Sequence, residues 1–346
     1  MCNTGATSSP RALCVLQFML RSVYGEAFLV ADRATGKRLV IKHVSLERVD
    51  QQKHVQAAVD EVSALNLLCH PNIVRCHGSW VMPGTEHVTT RPWDVGTESL
   101  RRPVNEALKV WKEWQNETSD KAAPSLNILT EWIDGGSLDR LIQRNNGAKP
   151  LDEDLVGIWS AQLVLAIDHM HKSNLLHRDI KVRSQRTTTR AAVTCATVRA
   201  CSQPANVFIT ESGIIKLGDL GCCKMLENPD EACTNEYGSP QYLSPEVWQY
   251  GIHTHKSDIW SVGCVIYELL SFAPPFKQPS LMHCVLTAHP AALPVHYSAG
   301  LNALVLRLLH KDPNQRPSST ELLQDAVITH HVKRWLAASR SVLGTS

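Results

Sequence analysis

The period of the apolar residues changes once along this chain, and that change limits the folds open to it. Up to about residue 80 they come in short runs joined by turn residues. Ala12 to Leu20, Glu26 to Ala31 and Arg38 to His43 read as three strands, with Ala34-Thr35-Gly36-Lys37 as a turn. One helix follows over Val55 to Leu68, with Val55, Val59, Val62 and Leu65 on its spacing, and it ends before His70-Pro71. From 131 to 336 the pattern is mostly helical, and Leu155 to His171 and Ser257 to Leu270 are its longest amphipathic stretches. The expected fold class is α+β: a β-rich lobe with one helix, a mainly helical lobe, and a cleft between them.

Two segments interrupt this plan. The first, about 84–124, separates the strand-like text at Gly78-Ser79-Trp80 from that at Leu126 to Glu131. Within it Val104, Leu108, Trp111 and Gln115 follow helical spacing after Pro103, which predicts a surface insertion packed on its own lobe rather than a docking helix. The second is 182–203, which carries four arginines and no acidic residue and shows no sustained period. It parts His177-Arg178-Asp179-Ile180-Lys181 from Pro204-Ala205-Asn206. Val182-Arg183 can be encoded by a splice-donor text and Gln203 by an acceptor text, so a retained intron is expected here.

Composition excludes several classes. Of 346 residues, 43% are hydrophobic and 20% charged, as in an ordinary soluble domain. A net charge of +2 gives no electrostatic case for nucleic acid or a membrane surface, so neither is an expected partner. No apolar run approaches the roughly 18 residues that span a bilayer. Met1 to Pro10 lacks a basic start followed by an apolar stretch, so no secretory signal is expected. The 11 cysteines are scattered without a C-x-x-C pair, which suits a reducing cytoplasmic setting. His253-Thr254-His255 and His330-His331 have no Cys or carboxylate at a ligand spacing, so no metal site is expected of them.

The chemistry is carried by short motifs in a fixed order. Val40-Ile41-Lys42 ends a strand, and Glu61 lies on the helix before His70-Pro71-Asn72-Ile73-Val74. The split text His177 to Lys181 and Pro204 to Asn206 comes next, then Asp219-Leu220-Gly221. Gly238-Ser239-Pro240-Gln241-Tyr242-Leu243-Ser244-Pro245-Glu246, Asp258-Ile259-Trp260-Ser261-Val262-Gly263 and Asp312-Pro313-Asn314-Gln315-Arg316-Pro317 complete the series. Joined across the interruption, the central text reads H-R-D-I-K-P-A-N, with Asp179 and Asn206 at the spacing of a phosphoryl-transfer loop.

From about 20 to 335 the chain resembles the eukaryotic protein kinases. Within them it is most similar to the NIMA-related serine/threonine kinases, through Tyr24 to Val30, His70 to Val74, Pro204 to Ile209 and Ile215 to Gly221. The resemblance implies a two-lobed kinase domain over 12–336 between a leader, 1–11, and a tail, 337–346. The N-lobe would run over 12–130 and the C-lobe over 131–336; the coiled-coil tail common in that family is not expected, because the chain stops soon after the last kinase helix. The activity implied is transfer of the ATP γ-phosphoryl group to serine or threonine of protein substrates, with Mg²⁺, by a monomer. The compartment implied is cytoplasmic, with cytoskeletal association in the manner of the family.

The same resemblance assigns roles. Asp179 is the expected base for the substrate hydroxyl, and Lys181 stabilises charge on the moving phosphoryl group. Lys42, paired with Glu61, holds the α- and β-phosphates, and Asn206 and Asp219 are the metal ligands. Glu131 to Ile133 form the hinge that binds adenine through backbone groups, Glu131 and Ile133 being named as binding residues, and Thr130 is the gatekeeper. Thr234 is the expected activation-loop phosphosite, and Glu236 is expected to offer part of a phosphate's charge to Arg178. Glu246 pairs with Arg316 in a structural role.

Two departures from the family pattern carry expectations of their own. Leu20, Ser22 and Gly25 stand where three glycines belong, so only Gly25 is kept to approach the nucleotide. Looping out the 22 residues of 182–203 costs roughly 3 kcal/mol beyond a constant, which a fold survives. A displacement of about 1 Å at the chemistry is less forgiving. With the insertion present, little or no activity is expected, and the competing reading is a catalytically impaired pseudokinase or scaffold.

Overall fold

Short apolar strands build the first part of the molecule. The structure is a computed structural model and describes residues 13–22, 25–46, 52–82, 103–116, 123–145, 149–182, 205–228, 231–234, 238–277 and 280–343. These divide into two compact units, one from residues up to 69 and within 74–132, the other from 70–73, 133–182 and the described residues after 204.

The first unit is a five-stranded sheet with two helices. In chain order it comprises β1 (Leu13–Ser22), β2 (Gly25–Asp32), β3 (Arg38–Ser45), α1 (Gln52–Leu67), β4 (Cys76–Met82), α2 (Ala107–Asn116) and β5 (Ser125–Glu131). The strands lie in the order β1-β2-β3-β5-β4, every neighbouring pair antiparallel. Asp32 shapes the turn between β2 and β3, its Oδ1 accepting the N–H groups of Ala34 and Thr35 at 2.9 and 3.0 Å. One face of the sheet buries Leu13, Phe28, Val30, Leu39, Ile41, Trp80, Met82 and Leu129 as a continuous apolar cluster. The three strands and the helix expected from the sequence are all present, each within a few residues of its expected ends.

The inserted helix is present too, with Trp111 buried on it. Val104–Glu106 form a 3-10 turn, which tightens the winding before α2 begins. Ala107, Val110 and Trp111 are buried, and Val104 and Trp114 are half-buried. Lys109, Lys112 and Glu113 face solvent. The helix packs on α1 within its own unit, and the 3-10 turn packs on α1 and β4.

The second unit is mainly helical. It comprises α3 (Leu138–Asn145), α4 (Glu153–Lys172), β6 (Leu175–Leu176), β7 (Val207–Ile209), β8 (Ile215–Leu217), β9 (Lys224–Met225), β10 (Cys233–Thr234), α5 (Pro245–Tyr250), β11 (Ile252–His253), α6 (His255–Ser271), α7 (Leu281–Thr287), α8 (Ala299–Leu308), α9 (Ser319–Gln324) and α10 (Ala326–Leu343). Asp152 caps α4 by accepting the N–H of Leu155 at 3.1 Å, and Thr254 with Ser257 closes a capping box on α6. α4 is the hub, packed by α6, α9 and α10. α10 runs on to Leu343 through the stretch expected as a tail, because no Gly or Pro interrupts it before Gly344. Among the described residues no helix is long and apolar enough to cross a membrane.

Candidate active site

In the first unit the strand period sets the first polar pair. β3 sends Leu39 and Ile41 into the apolar cluster, so Lys42 points to the opposite face. There its ammonium donates to both carboxylate oxygens of Glu61 on α1, at 2.8 and 2.9 Å. Glu61 is only 5% exposed, so its charge depends on that partner. Thr130 lies opposite Val40 and Glu131 opposite Leu39 on β5. Glu131 is tied to the start of β4, its Oε1 accepting the N–H of Arg75 at 2.8 Å and its own N–H donating to the Arg75 carbonyl at 3.0 Å. Gly25 opens β2 with φ +140°, and a Cβ there would stand 2.3 Å from the His43 carbonyl oxygen. Contact with β3 therefore demands glycine at this position whatever else it serves.

In the second unit a buried carboxylate holds the loop that follows α4. Asp258, near the start of α6, accepts the backbone N–H groups of His177 and Arg178, each at 2.9 Å, and a ring nitrogen of His171 at 3.0 Å. Burial alone would raise the pKa of Asp258. The bond and charge of His171 and the His177 groups outweigh it and hold the value at about 2. These bonds fix Arg178 at φ +64°, a conformation that side chains rarely adopt. His177 is fully buried, and burial lowers its pKa. One ring nitrogen meets the N–H of Asp179 at 3.3 Å and the other the carbonyl of Gly218 at 3.3 Å, a pairing that suits a neutral ring.

Asp179 is the centre of the arrangement. Lys181 Nζ donates to its Oδ2 at 2.6 Å and Asn206 Nδ2 to the same oxygen at 3.0 Å. Oδ1 accepts the backbone N–H and the hydroxyl of Ser239 at 3.0 and 2.8 Å. Asn206 Nδ2 also reaches the Asp179 carbonyl at 2.7 Å, and the N–H of Asn206 donates to the Lys181 carbonyl at 3.0 Å. The two halves of the interrupted loop are thus bonded to each other directly. Val182 and Ala205, the described residues on either side of the interruption, are both buried. The intervening segment, like Pro204, lies outside the described residues.

The β7–β8 hairpin brings the remaining polar residue alongside. Val207 pairs with Leu217, and the N–H of Gly218 donates to the Asn206 carbonyl at 2.9 Å, which sets Gly218 opposite Asn206 and Asp219 one residue beyond. Asp219 has φ +55°. Asn206 Oδ1 is buried and has no hydrogen-bond partner among the described residues. A buried amide oxygen left without a partner, with the Asp219 carboxylate close by in the chain's pairing, is hard-donor chemistry of the kind that fits Mg²⁺. Ile133, expected at the hinge, is buried in this unit, and its carbonyl accepts the N–H of Gly136 at 3.3 Å.

The segment from Asp219 to Glu246 is pinned at several points. β9 pairs with β6, and β10 with β11. The Arg178 guanidinium donates to the carbonyls of Cys222 and Cys223 at 2.6 and 3.3 Å and to the Cys233 sulfur at 3.2 Å. Thr234, next to Cys233, is exposed on β10. Glu236, expected opposite Arg178, lies outside the described residues. At the far end Arg316 forks onto both Glu246 oxygens at 2.7 and 2.6 Å.

Ser239 is the residue the sequence reading missed, because no motif spacing links it to Asp179. Ser239→Ala is expected to lower kcat by roughly 10–100-fold, the worth of one hydrogen bond to a charged group, with KM for ATP nearly unchanged. Steady-state kinetics of the variant check it, and an unchanged kcat would count against this role.

A second expectation concerns acid. His70 Nδ1 accepts the N–H of Asn72 at 3.1 Å, and its ring stacks on His169 at 5.1 Å. Burial, with His169 and Lys216 nearby, lowers its pKa from 6.5 to about 4. The unfolded chain then binds more protons than the folded one between these values, so stability from this group is complete above 6.5 and falls as pH drops toward 4. Denaturant unfolding of His70→Gln across this range should show a flatter pH dependence than the parent.

The histidine pair of α10 also departs from expectation. The fold brings Asp154 of α4 to His330 and His331, with ligand-type atoms within 4.8 Å of one another. Asp154 is already paired with Arg334 at 2.5 Å.

Comparison with known proteins adds to this geometry. A family model described as protein kinase domain matches residues 21–183 and 203–328, stepping over the same interruption. The chain is 31% identical over 314 residues to the serine/threonine-protein kinase Nek3 of Mus musculus, covering 89% of this chain and 48% of that protein. It is 28% identical over 333 residues to Nek4 of Mus musculus, covering 95% and 34%, and 28% identical over 326 residues to Nek5 of Homo sapiens, covering 93% and 37%. The chain therefore spans about a third to a half of the length of these relatives.

Proposed function

The chain belongs to the protein kinase domain family, and from that premise we propose that it transfers the γ-phosphoryl group of ATP to serine or threonine hydroxyls of protein substrates. The observation that carries the reading is the Asp179 carboxylate, buried and held by Lys181, Asn206 and Ser239 across the interrupted loop. The serine/threonine choice rests on Lys181 two residues after Asp179 and on the similarity to the Nek relatives.

In this reading Asp179 takes the proton of the attacking hydroxyl as its oxygen bonds to the γ-phosphorus and the bridge to ADP breaks. Lys181 and Asn206 fix the carboxylate on one oxygen and Ser239 on the other, so the base meets the hydroxyl in one orientation. Lys42, oriented by Glu61, anchors the α- and β-phosphates. Glu131 and Ile133 serve the adenine through backbone groups, Thr130 is the gatekeeper, and Gly25 lets the backbone pass close to the nucleotide. Asn206 and Asp219 hold Mg²⁺. The chemistry Mg²⁺ would supply there is neutralisation of charge on the phosphate oxygens. Thr234, exposed beside the Arg178 contact, is the phosphorylation site of the activation segment.

The test is transfer of label from γ-labelled ATP to a mixed protein substrate in Mg²⁺, followed by phosphoamino-acid analysis. Label on serine and threonine is expected. Label on tyrosine, or none with the full chain, would overturn the reading.

A further inference from the structure

α1 carries Glu61, and its burial is wider than one neighbour explains. Val55, Ala58, Glu61, Val62, Ala64 and Leu65 are all buried. At about 100° per residue they cover roughly half the circumference of the helix, where a helix lying on one partner buries a stripe of about 100°. Part of the remainder is covered from outside the strand plan. The 3-10 turn Val104–Glu106 and α2 pack on α1, and the turn reaches β4 as well. α2 contributes Ala107, Val110 and Trp111 as buried side chains. The Trp111 indole N–H is buried without a hydrogen-bond partner among the described residues, so apolar contact is what holds this ring.

Glu61 lies near the middle of the buried arc. A turn of α1 about its axis in either direction carries the carboxylate away from Lys42, and the 2.8 Å bond then breaks. Whatever fixes the rotation of α1 therefore fixes the ion pair. α2 meets that requirement: it comes from the same chain and has its charged residues turned to solvent.

We propose that α2 is an internal clamp on α1, with Trp111 the positioning residue that keeps Glu61 on Lys42. Trp111 acts through α1 and touches no reacting atom. An insertion in the first unit thus supplies the restraint, and whatever loosens α2 lowers the affinity for ATP phosphates before it unfolds anything else. The kinetic part of the inference rests on the phosphoryl-transfer reading; the structural part does not.

The experiment uses the full chain as Trp111→Ala, Trp111→Phe, Lys109→Ala, Glu61→Gln and the double Glu61→Gln/Trp111→Ala, with Val110→Ala as the milder cavity should Trp111→Ala fail to fold. Amide hydrogen exchange over 52–67 should quicken about tenfold in Trp111→Ala while 153–172 stays unchanged, as local rather than global opening requires. KM for ATP should rise about fivefold or more with a smaller change in kcat, Trp111→Phe should restore most of it, and Lys109→Ala should change nothing. On the Glu61→Gln background Trp111→Ala should cost nothing further, since both act through one pair. Unchanged exchange in α1, or losses that multiply in the double variant, would overturn the clamp. Faster exchange in a chain that transfers no phosphate would keep the clamp and overturn the kinase reading.

Discussion

Asp179→Asn lowers the rate of phosphoryl transfer by on the order of 10²–10⁴-fold and leaves the chain folded. The carboxylate accepts donors on both oxygens, Lys181 and Asn206 on one, Ser239 twice on the other. Asparagine keeps the shape but offers only one acceptor oxygen. Its best placement turns that oxygen to Lys181 and lets its amide donate to the Ser239 hydroxyl, which can also accept. The Ser239 N–H is then left without its acceptor, at about 1–3 kcal/mol. The melting temperature should fall by several degrees while the transition stays cooperative. Loss of rate without loss of fold separates a chemical role from a structural one. A variant with parental kcat would remove Asp179 from the mechanism.

Arg316→Met should cost about 3–5 kcal/mol of stability, the penalty for stranding the partner of a buried ion pair. Arg316 is 1% exposed, and each of its N–H groups has a partner: both Glu246 oxygens and the carbonyls of His310, Lys256 and Lys311. Burial raises the pKa of Glu246, and the bonds from Arg316 overcome this and hold it below its usual value. Without Arg316 the carboxylate keeps Ser257 Oγ at 2.9 Å, too little for a buried charge. The deficit should therefore be largest at neutral pH and shrink in acid, where Glu246 protonates. Denaturant midpoints at two pH values check this, and the double Arg316→Met/Glu246→Gln should recover part of the loss. A single variant within 1 kcal/mol of the parent would mean the pair is solvated in solution.

Much of this was legible in the residues because the relevant signals are local. Short apolar runs between turn residues gave β1 to β3, and a period near 3.6 gave α1, α4 and α6, where burial of one face imposes it. The pairing of Lys42 with Glu61 and the gathering of Asp179, Lys181 and Asn206 followed from motif order. Signals that act over distance without a motif to carry them were not legible. Ser239 reaches Asp179 from 60 residues away through a turn that no spacing announces. The 3-10 turn before α2 had no signal of its own in the residue spacing. Asp154 meets His330 and His331 only because α4 and α10 pack together.

The closure of the interrupted loop has a physical reason. The ends of an insertion are set by what anchors them, and its length adds only slowly to the cost of closure. Here Asp258 anchors one side through His177 and Arg178, and the β7–β8 hairpin anchors the other through Asn206. With both ends fixed, the Asn206 N–H finds the Lys181 carbonyl at 3.0 Å whatever lies between.

That closure is tested most directly by measuring labelled phosphate transfer from ATP for the full chain beside a variant lacking 182–203. Transfer by both, at rates within about tenfold of each other, is the result expected if the loop closes as described. Activity confined to the shortened variant would contradict it, because the insertion would then displace Asn206 from Asp179 in solution.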